Sequence, residues 1–290
     1  MEHELIELYL LVCRLYDKRP DLKYQRLSNF RPRCTDEELL TMYLIGHLQG
    51  FHEQRRIYQY VRRHWHKWFP ALPSYQAFNR RLNLLAPAFA ELISNVLESA
   101  VVQLAPSADR LIDSLPVMLA KGGRSSTARV APEVADKGFC ASKSSYYYGV
   151  KLHTIALRRT NKLPIPALLH LSRASQHDLA ALRELNPVLG EDVLFGEKAY
   201  ADEETKTMFA ERGTHLVTPY KRKRNEPETA APALWSRFVS SFRQPIEGFF
   251  GWLIQRTNLQ NASRVRSTNG LFVHCYGKFA VACLLLSFYS

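Results

Sequence analysis

A single acid inside an apolar run places the tightest limit on how this chain can fold. In Asp109-Arg-Leu-Ile-Asp113-Ser-Leu-Pro-Val117 the pattern predicts a short β-strand with apolar residues on both sides of Asp113. A carboxylate in a buried strand is costly unless something positive neutralises it. Asp113 therefore needs a partner from elsewhere in the fold, and for several converging carboxylates the simplest partner is a divalent cation. Two later segments have the same form. Val193-Leu-Phe-Gly-Glu197-Lys-Ala-Tyr200 ends an apolar strand on an acid, and Arg243-Gln-Pro-Ile-Glu247 opens a helix with another. Pro245 suits the first helical position, which would put Glu247 in the first turn, where the helix dipole favours an anion.

Ahead of the first acid, residues 1 to about 105 read as helical. Leu5, Leu8, Tyr9, Val12 and Leu15 recur at helical spacing. Thr35-Asp-Glu-Glu38 is a capping box opening a helix that closes near Gly50. A third helix begins at Glu53 and combines Ile57, Tyr60 and Val61 with Arg55, Arg56, Arg62 and Arg63; Ser74 caps a fourth with Arg80 and Arg81 on its polar side. These short helices, one strongly basic, fit a helix-turn-helix-like module with a helix in the major groove. A solvated basic face explains the same pattern. His64 and His66, two residues apart, do not share a helix face and read as surface groups.

From about residue 105 the period shifts from helical to alternating. Beyond the Asp113 strand, Lys121-Gly-Gly-Arg124-Ser-Ser126 reads as a flexible basic loop, Tyr146–Leu157 as a long strand, and Leu163–Leu171 as its antiparallel partner. Pro164 and Pro166 make that partner an edge strand. A helix at His177–Leu185, a strand at Asp192–Phe195, a helix at Asp202–Arg212 and a strand at His215–Pro219 follow. The expected fold is α/β: a mixed five-stranded sheet with flanking helices, preceded by an all-helical domain. Residues 1–105 form the helical DNA-binding or dimerisation domain, and residues 106–290 the sheet domain. Lys221-Arg222-Lys223-Arg224 lies in a surface loop, and the chain is helical again from about Leu234.

Lys and Arg outnumber Asp and Glu by 39 to 27, a net charge of +12 over 290 residues, which favours a polyanionic partner, nucleic acid first. Five scattered cysteines without a CxxC pair exclude a zinc ribbon and a disulfide framework and suit a reducing cytoplasm. The N-terminus lacks the basic and apolar regions of a signal peptide. The apolar run Leu271–Tyr289 is interrupted by His274, Gly277 and Lys278, so a buried core helix is expected and no membrane partner.

Three acids and a basic surface fit phosphodiester chemistry. Two Mg²⁺ ions about 4 Å apart can activate water and stabilise the leaving oxygen, and Mg²⁺ takes oxygen ligands from a few carboxylates on rigid elements. Five blocks in order carry a resemblance: Ile112–Val117, Gly138–His153, Ser175–Asp178, Gly196–Tyr200 and Arg243–Glu247. Together they resemble the DDE transposases of bacterial insertion sequences, over about residues 106 to 290.

The resemblance implies a ribonuclease-H-like catalytic domain using Mg²⁺ (or Mn²⁺). It further implies cleavage at the terminal inverted repeats of a mobile element and transfer of the freed 3′-OH ends to target DNA. Its partners would be double-stranded DNA and further copies of the chain, in a homodimer or higher synaptic complex. By position the metal-binding triad is Asp113, Glu197 and Glu247, with Arg243 as a phosphate contact. Lys198, Arg256, Lys121, Arg124, the Lys221–Arg224 run, Arg62, Arg63, Arg80 and Arg81 are further candidate DNA contacts.

Three positions depart from the family pattern: the second acid is Glu197 where Asp is usual, Ser240 stands for a tyrosine, and Ile254 for a lysine. A second reading is therefore a catalytically impaired or repurposed DNA-binding relative. A third is a structural nucleic-acid-binding protein whose acids are ordinary ion-pair partners.

Overall fold

The computed structural model describes residues 2–23, 32–104, 109–222 and 229–288. It divides into two compact units. The first comprises Met1–Ser99, Leu253–Leu259 and Arg264–Ser290, and the second Ala100–Trp252 with Gln260–Ser263. Residues 264–290 thus belong to the helical unit, whereas the sequence had suggested their place with the sheet.

In the first unit, α1 (Glu2–Lys18) buries Leu5, Leu8, Val12 and Leu15, the stripe legible in the sequence. Thr35 caps α2 (Asp36–Leu48) through both halves of the capping box: its Oγ1 accepts the Glu38 N–H at 3.2 Å, and Glu38 accepts the Thr35 N–H at 2.6 Å. The basic helix α3 (Gln54–His64) buries Ile57 and Val61 and exposes Arg55, Arg56, Arg62 and Arg63. Ser74 caps α4 (Tyr75–Leu84), and α5 (Ala86–Leu104) follows. One expected DNA contact on α4 is corrected here. Arg81 is buried, donating to Asp36 Oδ1 at 2.6 Å and to the Cys34 carbonyl at 2.7 Å, so it holds the helices together and cannot reach DNA. Arg80 beside it is exposed.

The second unit is built on β1 (Asp109–Lys121), the strand of Asp113. Gly122–Ser126, expected as a flexible loop, is a turn of 3-10 helix. Next come β2 (Asp136–Cys140), β3 (Ser145–Leu157) and β4 (Ile165–Arg173). Then α6 (Asp178–Leu185), β5 (Val193–Phe195), α7 (Glu203–Ala210), β6 (His215–Val217) and α8 (Ala230–Thr257) complete the series. The sheet runs β4-β3-β1-β5-β6: β3 is antiparallel to β1 and β4, while β5 and β6 run parallel to β1. This is the α/β, ribonuclease-H-like arrangement, with six strands rather than five. The added strand, β2, pairs with residues 145–149 of β3, while β4 takes residues 150–157 of the same edge. Pro166 pairs opposite Ala156 beside a register shift, as an edge position allows. At the β1–β3 crossing Gly149 is obligatory, because a Cβ there would lie 2.0 Å from the Val117 carbonyl oxygen.

Strand alternation assigns the two faces of this sheet. Ile112, Ile155, Leu194 and Leu216 pack with Leu182 of α6 and Phe209 of α7. Phe195, one residue on from Leu194, turns to the opposite face and meets Phe242 of α8 at 4.3 Å between ring centroids. Leu111 pairs with Phe195, so Asp113, two residues further along β1, also looks toward α8.

Pro245 corrects one expectation. It sits inside α8 rather than at a helix start, and Glu247 is therefore mid-helix. Buried Val239, Ile246, Phe249, Phe250 and Leu253 continue the helical period straight through the proline. Their packing outweighs the roughly 3 kcal/mol by which an interior proline disfavours a helix.

The chain closes in the first unit with α9 (Thr268–Phe272), a single π-helical segment Val273–Gly277 and α10 (Lys278–Phe288). Residues Thr268–Ser287 are long and apolar enough to cross a membrane, but 67% of that window is buried within the protein. Val273, Cys275 and Phe279–Leu284 are core residues, as expected of a core helix.

Candidate active site

Register brings the first two acids level. Parallel pairing of β1 with β5 ends at Leu111 and Phe195. Two residues beyond that pair are Asp113, still within β1, and Glu197, just past the end of β5; the two strands lie about 4.8 Å apart where they pair. Glu247 arrives from α8, and Arg243, one turn earlier on the same face, connects it to β1. Arg243 Nη1 donates to Asp113 Oδ2 at 2.7 Å, and Nη2 to Glu247 Oε1 at 2.6 Å. Expected as a phosphate contact, Arg243 here spends both terminal nitrogens on acids and is only 12% exposed, with its Nε buried and unpartnered.

A fourth carboxylate stands on the other side of β1. Ser114, facing opposite to Asp113, donates from Oγ to Asp178 Oδ1 at 3.2 Å. Lys151 of β3 donates to the same oxygen at 3.0 Å and to the Gln176 carbonyl at 2.8 Å. Asp178 is the first residue of α6, which His177 caps through Nδ1. The sequence marks Asp178 first as a helix start. Lys151 had no role assigned, although a lysine set between Val150 and Leu152 in a largely buried strand was the available signal.

Burial dominates the electrostatics. The Asp113 carboxyl is raised to about 7, above all by desolvation; Glu197 and Asp178 add to the rise, while Arg243 and the Ser114 N–H oppose it. Glu197 is also raised, first by burial and then by Asp178, with Glu247 adding and Arg243 and Lys151 opposing. Four carboxyl groups thus share a field with the cations Arg243 and Lys151, and the rise of Asp113 and Glu197 shows that these two cations do not offset the burial of all four. Among the described residues, no group of three or more His, Cys, Asp or Glu stands ready to hold a metal ion. The donor chemistry nevertheless suits a hard divalent cation, since every candidate ligand is a carboxylate oxygen and their net charge is uncompensated.

Tyr200, three residues beyond Glu197, is fully buried in the sheet core with its hydroxyl pKa driven up by burial. That position is structural. Lys198, next to Glu197, is exposed. Lys121 and Arg124 are exposed at the end of β1, with Lys121 donating to Asn261 at 2.8 Å. Lys221 and Arg222 are exposed, and Lys223 and Arg224 lie outside the described residues. Arg256 is exposed near the end of α8.

No curated protein and no solved structure matches the chain. A family model described as a transposase DDE domain matches residues 106–268, which include every strand of the sheet and all four acids. With more than half of its length matched, the chain belongs to the transposase DDE domain family.

Proposed function

We propose that the protein is a metal-dependent DNA transposase of a bacterial insertion sequence, cleaving at the element's terminal inverted repeats and joining the 3′-OH ends to target DNA. The observation carrying this is the double ion pair of Arg243 with Asp113 and Glu247, in the field that also holds Glu197. Asp113, Glu197 and Glu247 would hold the metal. Mg²⁺ or Mn²⁺ bound there supplies a water of lowered pKa and charge stabilisation at the leaving oxygen. Without metal, Arg243 compensates Asp113 and Glu247, and Lys151 fixes Asp178 beside them. Lys198, exposed next to Glu197, and the basic face of α3 supply phosphate contacts in the cytoplasm, on nucleoid DNA. Joining two element ends requires two catalytic sites, so the working form is a homodimer or higher synaptic complex.

Glu197 supports a second reading, an impaired relative that binds DNA. Its extra methylene displaces the carboxylate by about 1 Å relative to aspartate, an error worth about a hundredfold in rate. The test is cleavage of a labelled duplex carrying the inverted repeats that flank the reading frame, in Mg²⁺ and in EDTA. The protein as written cuts in Mg²⁺, Asp113→Asn does not, and Glu197→Asp cuts up to about a hundredfold faster. Cleavage by the aspartate form alone identifies the impaired relative. Tight binding with no cleavage by either form rejects the enzyme.

A further inference from the structure

The hairpin of β2 and β3 carries two aromatic rings that the acid site does not use. Phe139 and Tyr146 are direct cross-strand partners. Their rings meet edge to face, 5.1 Å apart at 62°. Each is more than half exposed, at 52% and 55%. Lys137, two residues before Phe139 and so on the same face of β2, holds its ammonium 4.7 Å from the Tyr146 ring centroid and 3.3 Å from Ser126 Oγ. Over residues 121–146 the basic side chains are Lys121, Arg124, Arg129, Lys137 and Lys143, against Glu133 and Asp136. Asp136 is occupied by the backbone N–H and hydroxyl of Ser175.

A lone exposed aromatic needs no explanation, whereas a paired one under a cation on an open strand has the make-up of a stacking surface. Bases stack on aromatic rings displayed by neighbouring strands, and adjacent cations follow the phosphates. Charge selects among occupants: five basic groups against two acidic ones favour a polyanion over a second copy of this +12 chain. A paired duplex hides its base faces, so rings of this kind engage bases that have left the duplex.

We propose that Phe139, Tyr146 and Lys137 form a platform for unpaired nucleotides of the DNA on which the protein acts. The inference rests on the chain's being a DNA-acting enzyme, but not on its metal site, and it is tested in EDTA so that failure of the catalytic reading leaves it intact. Affinities are measured by fluorescence anisotropy for a labelled oligo(dT) strand and for a blunt duplex. Phe139→Ala/Tyr146→Ala weakens oligo(dT) binding by about tenfold or more and duplex binding by less than about twofold. Phe139→Trp/Tyr146→Phe, which keeps both rings, retains oligo(dT) affinity. Lys137→Gln lowers the slope of log affinity against log salt for the single strand by about 0.7. Both rings are largely in solvent, so the alanine pair is expected to melt with the parent protein. Unchanged oligo(dT) affinity in the alanine pair overturns the proposal, as does an equal loss on strand and duplex. A change of oligomeric state with oligo(dT) binding intact also overturns it and marks the rings as a protein interface.

Discussion

Replacing Arg243 by methionine should destabilise the metal-free protein by an amount that grows with pH. Arg243 is the counter-charge to Asp113, whose side chain is 14% exposed and whose carboxyl is already raised to about 7 by burial. Between the ordinary aspartate value of 3.8 and about 7, the folded state therefore holds a proton on Asp113 that the unfolded state has released. In that window the parent protein loses stability as pH rises, and above it the loss is complete. Without Arg243 the folded pKa moves higher, so the variant keeps losing stability beyond pH 7 at about 1.4 kcal/mol per pH unit. Below pH 7 only the contact with a neutral acid and the half-exposed Glu247 pair are lost, together about 1–2 kcal/mol. By pH 9 the difference is larger by about 2–3 kcal/mol, which at about 2–4 °C per kcal/mol widens the gap in melting midpoint by roughly 5–10 °C. Thermal melts in EDTA at pH 6 and pH 9 measure it. In the Asp113→Asn background the same arginine substitution should give one pH-independent difference. An equal effect of Arg243→Met at both pH values in the parent would refute the assignment of Arg243 as the neutraliser of a buried, ionising Asp113.

Three further outcomes test the packing within the two units. Lys278 is nine-tenths buried in the helical unit, donates to the Asn258 carbonyl at 3.3 Å, and is lowered to about 7 by burial, with His47, His274, Cys275 and Glu53 around it. Between about 7 and the ordinary lysine value of 10.5 the unfolded state binds the extra proton, so stability rises with pH there. Lys278→Met should thus raise the midpoint below pH 7 by the equivalent of several kcal/mol, at about 1.4 kcal/mol per pH unit, an advantage that disappears by pH 10.5 in melts followed by circular dichroism. Gly149→Ala would set a methyl 2.0 Å from a carbonyl inside the β1–β3 ladder and should prevent recovery of soluble protein, whereas Gly248→Ala, on an open face of α8, should stabilise by about 0.5–1 kcal/mol.

What was legible in the sequence was local and periodic. The capping box at Thr35 and Glu38, the stripe of α1 and the aromatic and β-branched content of β3 are signals confined to one turn, one helix or one strand, and the folded chain keeps them. Where a distant residue decides, sequence reasoning failed. Arg81 lies on a polar helix side and reads as solvent-facing, yet its partner Asp36 is 45 residues away and encloses it. Strand β2, with Asp136, Lys137 and Gly138, has no strand propensity to recognise. Gly138 is there because a Cβ would sit 2.3 Å from the Ala174 carbonyl oxygen. Pro245 obeys the rule for a helix start only if the apolar spacing of residues 239 to 253 is left out.

The acids themselves show why a site can be read before its fold. Asp113 interrupts one apolar stretch and Glu197 ends another, and that is visible residue by residue. Their meeting follows from one register, Leu111 against Phe195, which the apolar pattern of the two strands already constrains because a slip of β5 by one residue would turn Glu197 to the face opposite Asp113. The compensating charges have no such local signature. Lys151 serves Asp178 from 27 residues away and Arg243 serves Asp113 from 130, and neither partner could be deduced from spacing. A carboxylate inside an apolar strand therefore announces that a positive charge must exist. Whether that charge is an arginine, a lysine or a metal ion is decided by the tertiary fold, and with the arginine and the lysine alone Asp113 is still raised to about 7.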